Sequence, residues 1–74
     1  MAAKTRISNQ VRKLRFLNSE MTQQELAERI GVTRQTVYAI EAGKYSPSLE
    51  VAFRIAEVFA QPLEEVFQYA PKDP

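Results

Sequence analysis

Side chains able to act as nucleophiles, general bases or metal ligands are scarce in this chain, and the scarcity narrows its chemistry. Among 74 residues there is no histidine and no cysteine. Histidine-based triads, thiol nucleophiles, disulfides and the common zinc sites are lost together. Acidic pairs such as Glu64-Glu65 exist. They adjoin in sequence, which suits a solvated helix start better than an acid and a base converging on one bond. The expectation is a non-enzyme with no metal and no cofactor. Hydrogen bonding and charge remain.

The charge is unevenly placed. The whole chain carries only +1. From Met1 to Ser46, Lys4, Arg6, Arg12, Lys13, Arg15, Arg29, Arg34 and Lys44 face Glu20, Glu25, Glu28 and Glu41, a net +4. From Pro47 onward the balance is −3. A basic half facing a polyanion and an acidic half facing solvent or a partner would look like this. Ordinary scatter of surface charge is the plainer reading.

The elements that must position these residues are short helices. Seventy-four residues suffice for one domain with one modest core. Asn9 or Ser8 can cap a first helix reaching about Leu17, with Val11, Leu14 and Leu17 on one side. Thr22 and Glu25 form a capping box at the start of a second, whose apolar stripe is Leu26, Ala27 and Ile30. Met21 precedes that cap as a hydrophobic staple, and Gly31 ends the helix. Thr33 caps a third helix running to about Ala42, with Val37 and Ile40 facing inward and Gly43 as its stop. Ser48 caps a fourth helix to about Ala60, and Leu63 to Phe67 form a short fifth. The segment from Gln68 to Pro71 reads as extended.

The fourth helix is apolar almost all round. Nine of the twelve residues from Leu49 to Ala60 are apolar. Leu49, Ala52, Phe53, Ala56, Phe59 and Ala60 line one side; Val51, Ile55 and Val58 line another. Such a helix is either central in its domain or shared with a partner chain. No apolar run approaches the 18 residues of a membrane span, and Met1 to Arg6 lack the apolar stretch of a signal peptide. A cytoplasmic protein with no membrane contact is expected.

The second and third helices are joined only by Gly31-Val32-Thr33, too short a link for antiparallel hairpin partners, so they must cross steeply. Over Gln23-Gln24-Glu25-Leu26-Ala27-Glu28-Arg29-Ile30-Gly31-Val32-Thr33-Arg34-Gln35-Thr36-Val37-Tyr38-Ala39-Ile40-Glu41-Ala42-Gly43-Lys44 the chain resembles the Cro/CI (Xre-type) helix-turn-helix family. The likeness extends from about Val11 to Phe67, with the motif itself at 23–42 of a single domain spanning 1–74. The ending Pro62-Leu63-Glu64-Glu65-Val66-Phe67-Gln68-Tyr69 resembles the small dimeric repressors of the cytolysin-operon type.

The resemblance implies an all-α, lambda-repressor-like five-helix fold. It also implies a short antiparallel pairing of about Arg6–Ser8 with Gln68–Ala70. It implies that the third helix reads bases through Arg34, Gln35, Thr36, Tyr38 and Ala39. Arg34 can bond guanine O6 and N7, and Gln35 adenine N6 and N7, each pair discriminating by roughly 1–3 kcal/mol. Thr36 and Tyr38 can touch a thymine methyl or a phosphate. Ala39 stands where relatives often carry a longer polar residue, which leaves it a thymine methyl at most. Gln23, Thr33, Lys44, Tyr45 and Ser46 are the implied phosphate contacts. Glu41 matches a position that pairs with an arginine of the first helix, here Arg15 or Arg12. Plainer roles stay open: Arg34, Gln35 and Gln23 as solvated helix residues, Tyr38 packed on a neighbour, Lys44 as a charge at a helix C-terminus.

Two functions fit. One is a transcriptional regulator, with repression the default, that binds double-stranded DNA as a homodimer. Its operator would be a near-palindrome with half-sites one turn, roughly 34 Å, apart. The dimer surface would use Val51, Ile55, Val58, Phe67 and Tyr69. The other is an antitoxin or similar module whose main ligand is a partner protein. No ligand-sensing domain is present, so no small-molecule effector is expected.

Overall fold

In the computed structural model the residues described are 5–69. The order is β1 (Ile7–Asn9), α1 (Val11–Leu17), α2 (Gln23–Ile30), α3 (Arg34–Glu41), α4 (Leu49–Val58), α5 (Leu63–Val66) and β2 (Phe67–Tyr69). The fold is five helices tied at one end by a two-stranded antiparallel sheet. Among the described residues no helix is long and apolar enough to cross a membrane.

The boundaries follow local chemistry. The Thr22 hydroxyl accepts from the Glu25 amide, and the Glu25 carboxylate accepts from the Thr22 amide, closing the capping box. These bonds hold the Glu25 carboxyl below the usual carboxylate range. Thr33 and Ser48 cap α3 and α4 by the same side-chain-to-amide bond. Gly31 ends α2 at φ 75°, and Gly43 follows α3 at φ 73°. At α1 the Asn9 carboxamide oxygen accepts from the Val11 amide.

One core joins α1 to α5. Val11, Met21, Leu26, Ala27, Ile30, Val37, Ile40, Ile55, Ala56, Phe59 and Val66 are buried together. Small Ala27 lies in this cluster with Val37 and Ile40, where α2 and α3 pack. The sheet sits one residue inward of the expected pairing. Ile7 faces Tyr69, Ser8 faces Gln68 and Asn9 faces Phe67. Ala70 lies outside the described residues. The register is set by burial next to the strands. Val11 and Val66 are fully buried, and the Gln10 amide donates to the Val66 carbonyl at 2.9 Å.

The fourth helix ends two residues earlier than expected, at Val58. Its last turn is closed by two reversed bonds, from the Ala60 amide to the Glu57 carbonyl and from the Gln61 amide to the Ala56 carbonyl. This closure places Ala60 at φ 54°, in the left-handed region where a Cβ is strained. Ala60→Gly is therefore expected to stabilise the fold. Relief of about 1–2 kcal/mol is offset by about 0.4–1 kcal/mol of extra unfolded-chain entropy. A melting temperature raised by a few degrees in a thermal scan would show it; a fall would remove strain as the account of that position.

Candidate nucleic-acid interface

The third helix has two faces with different fates. Val37 and Ile40, three residues apart, are sealed in the core. Arg34, Gln35 and Tyr38 are exposed, and Thr36 and Ala39 are half-buried. The outward row is thus a set of donors on a helix whose other side cannot roll. Thr36 is less free than its neighbours, since its hydroxyl lies 3.0 Å from that of the capping Thr33.

Beyond the helix, Lys44, Tyr45 and Ser46 are all exposed. The Lys44 amide closes the end of α3 by donating to the Ala39 carbonyl. At the far end of the surface, Gln23 opens α2. The capping box satisfies the amides of Thr22 and Glu25, so those of Gln23 and Gln24 are the first-turn donors without a helical partner.

A partly buried ion pair holds these parts together. Arg15 Nε donates to Glu41 Oε2 at 2.6 Å and Arg15 Nη2 to Glu41 Oε1 at 3.0 Å. The side chains are 15% and 8% exposed. Arg15 Nη1 also donates to the Met21 carbonyl at 2.8 Å, and Gln23 Nε2 to Glu41 Oε1 at 3.2 Å. Of the two arginines open to Glu41 in the sequence, the partner is Arg15; Arg12 is exposed. The hydrogen bonds to Glu41 raise the Arg15 pKa further above its ordinary value, against the desolvation that lowers it. Since a carboxylate only accepts, Glu41 must receive an N–H from Gln23. That fixes which way the amide of Gln23 points.

Two contacts were not legible in the sequence. Asn9 Nδ2 donates to the Ile40 carbonyl at 2.9 Å and so caps the end of α3 from the sheet. Arg54 Nη1 donates to the Ile30 carbonyl at 3.2 Å, while its Nη2 bonds Glu50 at 2.8 Å. A cation at the last carbonyls of α2 suits the helix dipole. No spacing rule signals either contact, because both cross between elements.

The residues expected at a dimer surface divide. Ile55 is 1% exposed and belongs to the monomer core, which removes it from any interface. Val51 and Val58 are half-buried against that core. Phe67 is half-buried in β2, and Tyr69 is exposed. The open apolar stripe of α4 is instead Leu49 and Phe53, 67% and 53% exposed at i, i+4. The period-3.6 pattern marks two apolar sides but not which one the domain itself covers.

A helix-turn-helix family model matches residues 11–66. The chain belongs to the Cro/CI-type helix-turn-helix family, whose members are DNA-binding transcriptional regulators. An uncharacterized HTH-type transcriptional regulator of Methanocaldococcus jannaschii is 46% identical over 63 residues, 85% of this chain and 94% of that one. The cryptic phage CTXphi transcriptional repressor RstR of Vibrio cholerae is 36% identical over 59 residues, 80% of this chain and 52% of the repressor. The crystal structure of the transcriptional regulator VanUg shares the fold with a TM-score of 0.69 at 21% identity, over 95% of this chain and 92% of that one.

Truncating Glu41 would leave a largely enclosed guanidinium without its carboxylate, with the Met21 carbonyl as its remaining partner. Glu41→Ala is expected to cost about 3 kcal/mol in urea unfolding, with Glu41→Gln losing less. A cost under about 1 kcal/mol, the range of an exposed pair, would show that the pair is not structural.

Proposed function

We propose that this protein is a sequence-specific repressor that binds a near-palindromic operator as a homodimer in the cytoplasm. The single observation carrying the reading is the outward row of α3. Arg34, Gln35 and Tyr38 are solvent-facing donors on a helix anchored from behind by Val37 and Ile40. Arg34 reads guanine and Gln35 adenine from the first turn of α3. Thr36 and Ala39 supply shorter contacts, with a thymine methyl as the natural partner of Ala39. Gln23, Thr33, Lys44, Tyr45 and Ser46 take phosphates and hold the helix in register. Repression follows from steric exclusion of polymerase, and the relative RstR is a repressor by name.

Selection of bound sites from random DNA tests this reading. A two-fold symmetric motif is expected. Arg34→Ala should relax one base position in each half-site, at a cost of roughly 1–3 kcal/mol for the operator. Lys44→Ala should weaken all sequences alike and lower the salt slope by about 1 per protomer. Binding without any recovered motif would favour a protein-interaction module instead.

One short helix reads few base pairs, so affinity calls for a second copy. The stripe of Leu49 and Phe53 is the surface we assign to it, continued by Pro62 and Leu63 beside Phe53. Glu50 and Arg54 run beside the stripe and pair with each other at 2.8 Å, so no unpaired charge of theirs opposes its burial. A two-fold axis through the stripe would set Leu49 and Phe53 of one copy against the same residues of the other. Sedimentation should show a dimer for the parent and a folded monomer for Phe53→Glu. A parent that is monomeric at high micromolar concentration, or a Phe53→Glu dimer, would overturn the assignment.

A further inference from the structure

The sequence marks Lys13 only as part of a basic half, and Arg12 besides as the alternative partner of Glu41 that Arg15 displaces. The fold gives them a location. Both are exposed on α1, and both line a concave surface between α1 and the N-terminal ends of α2 and α3. Gln23 and Gln24 line it from α2 and Arg34 from the start of α3. Arg12 also lines the adjoining depression beside Tyr38. The surface is therefore continuous with the row on α3 assigned above to base reading.

Its charge and shape suit one kind of ligand. Arg15 and Glu41 line it too, but they neutralise each other. Among the described residues that line it, Arg12, Lys13 and Arg34 then face one remaining carboxylate, that of Glu20. Phe16 stands in the same wall, 67% exposed. Three cations lining one surface with an exposed ring match a chain of phosphates alternating with apolar sugar rings. We propose that this groove holds the sugar–phosphate backbone next to the bases that α3 reads, with Arg12 and Lys13 each taking one phosphate. The inference rests on α3 as the reading helix. It adds a second, sequence-independent site on α1, which widens the footprint beyond the base-reading helix.

The site has a readout separate from base recognition. Each phosphate contact contributes about 0.9 to the slope of log affinity against log salt. Replacing Arg12 and Lys13 together by Ala should lower the slope by about 1.8 per protomer, on the operator and on random duplex alike. The motif selected from random DNA should not change. Arg29→Ala serves as the control, because Arg29 is exposed on the last turn of α2 and lies outside the groove. Its slope should stay at the parent value. A double variant that keeps the parent slope overturns the proposal. So does an Arg29→Ala variant that loses as much per charge, since the effect would then be net charge alone. A double variant that loses the motif but keeps the slope also overturns it. If the parent itself selects no motif while the double variant still loses slope, the base-reading role of α3 fails and the phosphate groove stands. Unfolding curves matching the parent's verify that the exposed substitutions leave the fold intact.

Discussion

Glu41 receives three N–H donors, two from Arg15 and one from Gln23, in a site almost closed to water. Its carboxylate joins α1, α2 and α3. The contact matters because α1 has little else to hold it. Val11 is its only fully buried side chain, Leu14 is half-buried, and Phe16 and Leu17 point to solvent. So α1 is fastened mainly by polar bonds: Arg15 to Glu41, Arg15 to the Met21 carbonyl, and Asn9 just before it to the Ile40 carbonyl. Ion pairs of this kind recover their desolvation cost only when geometry is good and remaining donors are satisfied. The two-pronged Arg15–Glu41 contact, with Nη1 on a carbonyl, meets both conditions.

The same network explains how an eight-residue helix can be presented almost bare. A helix the length of α3 would not persist alone in water. Here Thr33 fixes its start, Gly43 and Lys44 fold back at its end, Asn9 takes a last-turn carbonyl, and Glu41 is clamped from the side. Val37 and Ile40 complete the anchoring from beneath. With every structural demand met on one side, the other is released to carry Arg34, Gln35 and Tyr38 without a packing role.

Much of this was legible in the sequence because it is local. Thr22 with Glu25, Thr33, Ser48, Gly31 and Gly43 act within a few residues of themselves, so their types and spacing give the helix starts and stops directly. The apolar positions of α2 and α3 were equally plain, since each helix has one apolar stripe. The fourth helix was not, because it is apolar all round. Burial of Ile55 and exposure of Leu49 and Phe53 follow from how α4 lies against α2 and α5, which periodicity does not encode. The choice of Arg15 over Arg12 depends on which side of α1 faces α3. The groove holding Arg12 and Lys13 exists only once three helices have come together. The one-residue shift of the sheet has the same origin. Buried Val11 and Val66 set it from outside the strands.

How α4 is joined to α2 and α3 bears on what a pair of these chains would do. Arg54 reaches from α4 to the last carbonyl of α2, and a Cβ on Gly31 would lie 3.4 Å from its Nη1. Beneath it, Ile55 and Ala56 share the core with Leu26 and Ile30. Hence α4 is fixed to α2 by a polar cap above and close packing below, and α2 is fixed to α3 through Ala27 and Glu41. A surface on the outer stripe of α4 is then rigidly placed relative to Arg34 and Gln35, with no linker between them. In the proposed dimer the distance between the two reading helices is therefore set by the fold of each copy, not by the DNA. A dimer of that kind would discriminate between operators by half-site spacing as well as by bases, because changing the spacing would require bending the duplex or breaking a contact on one side.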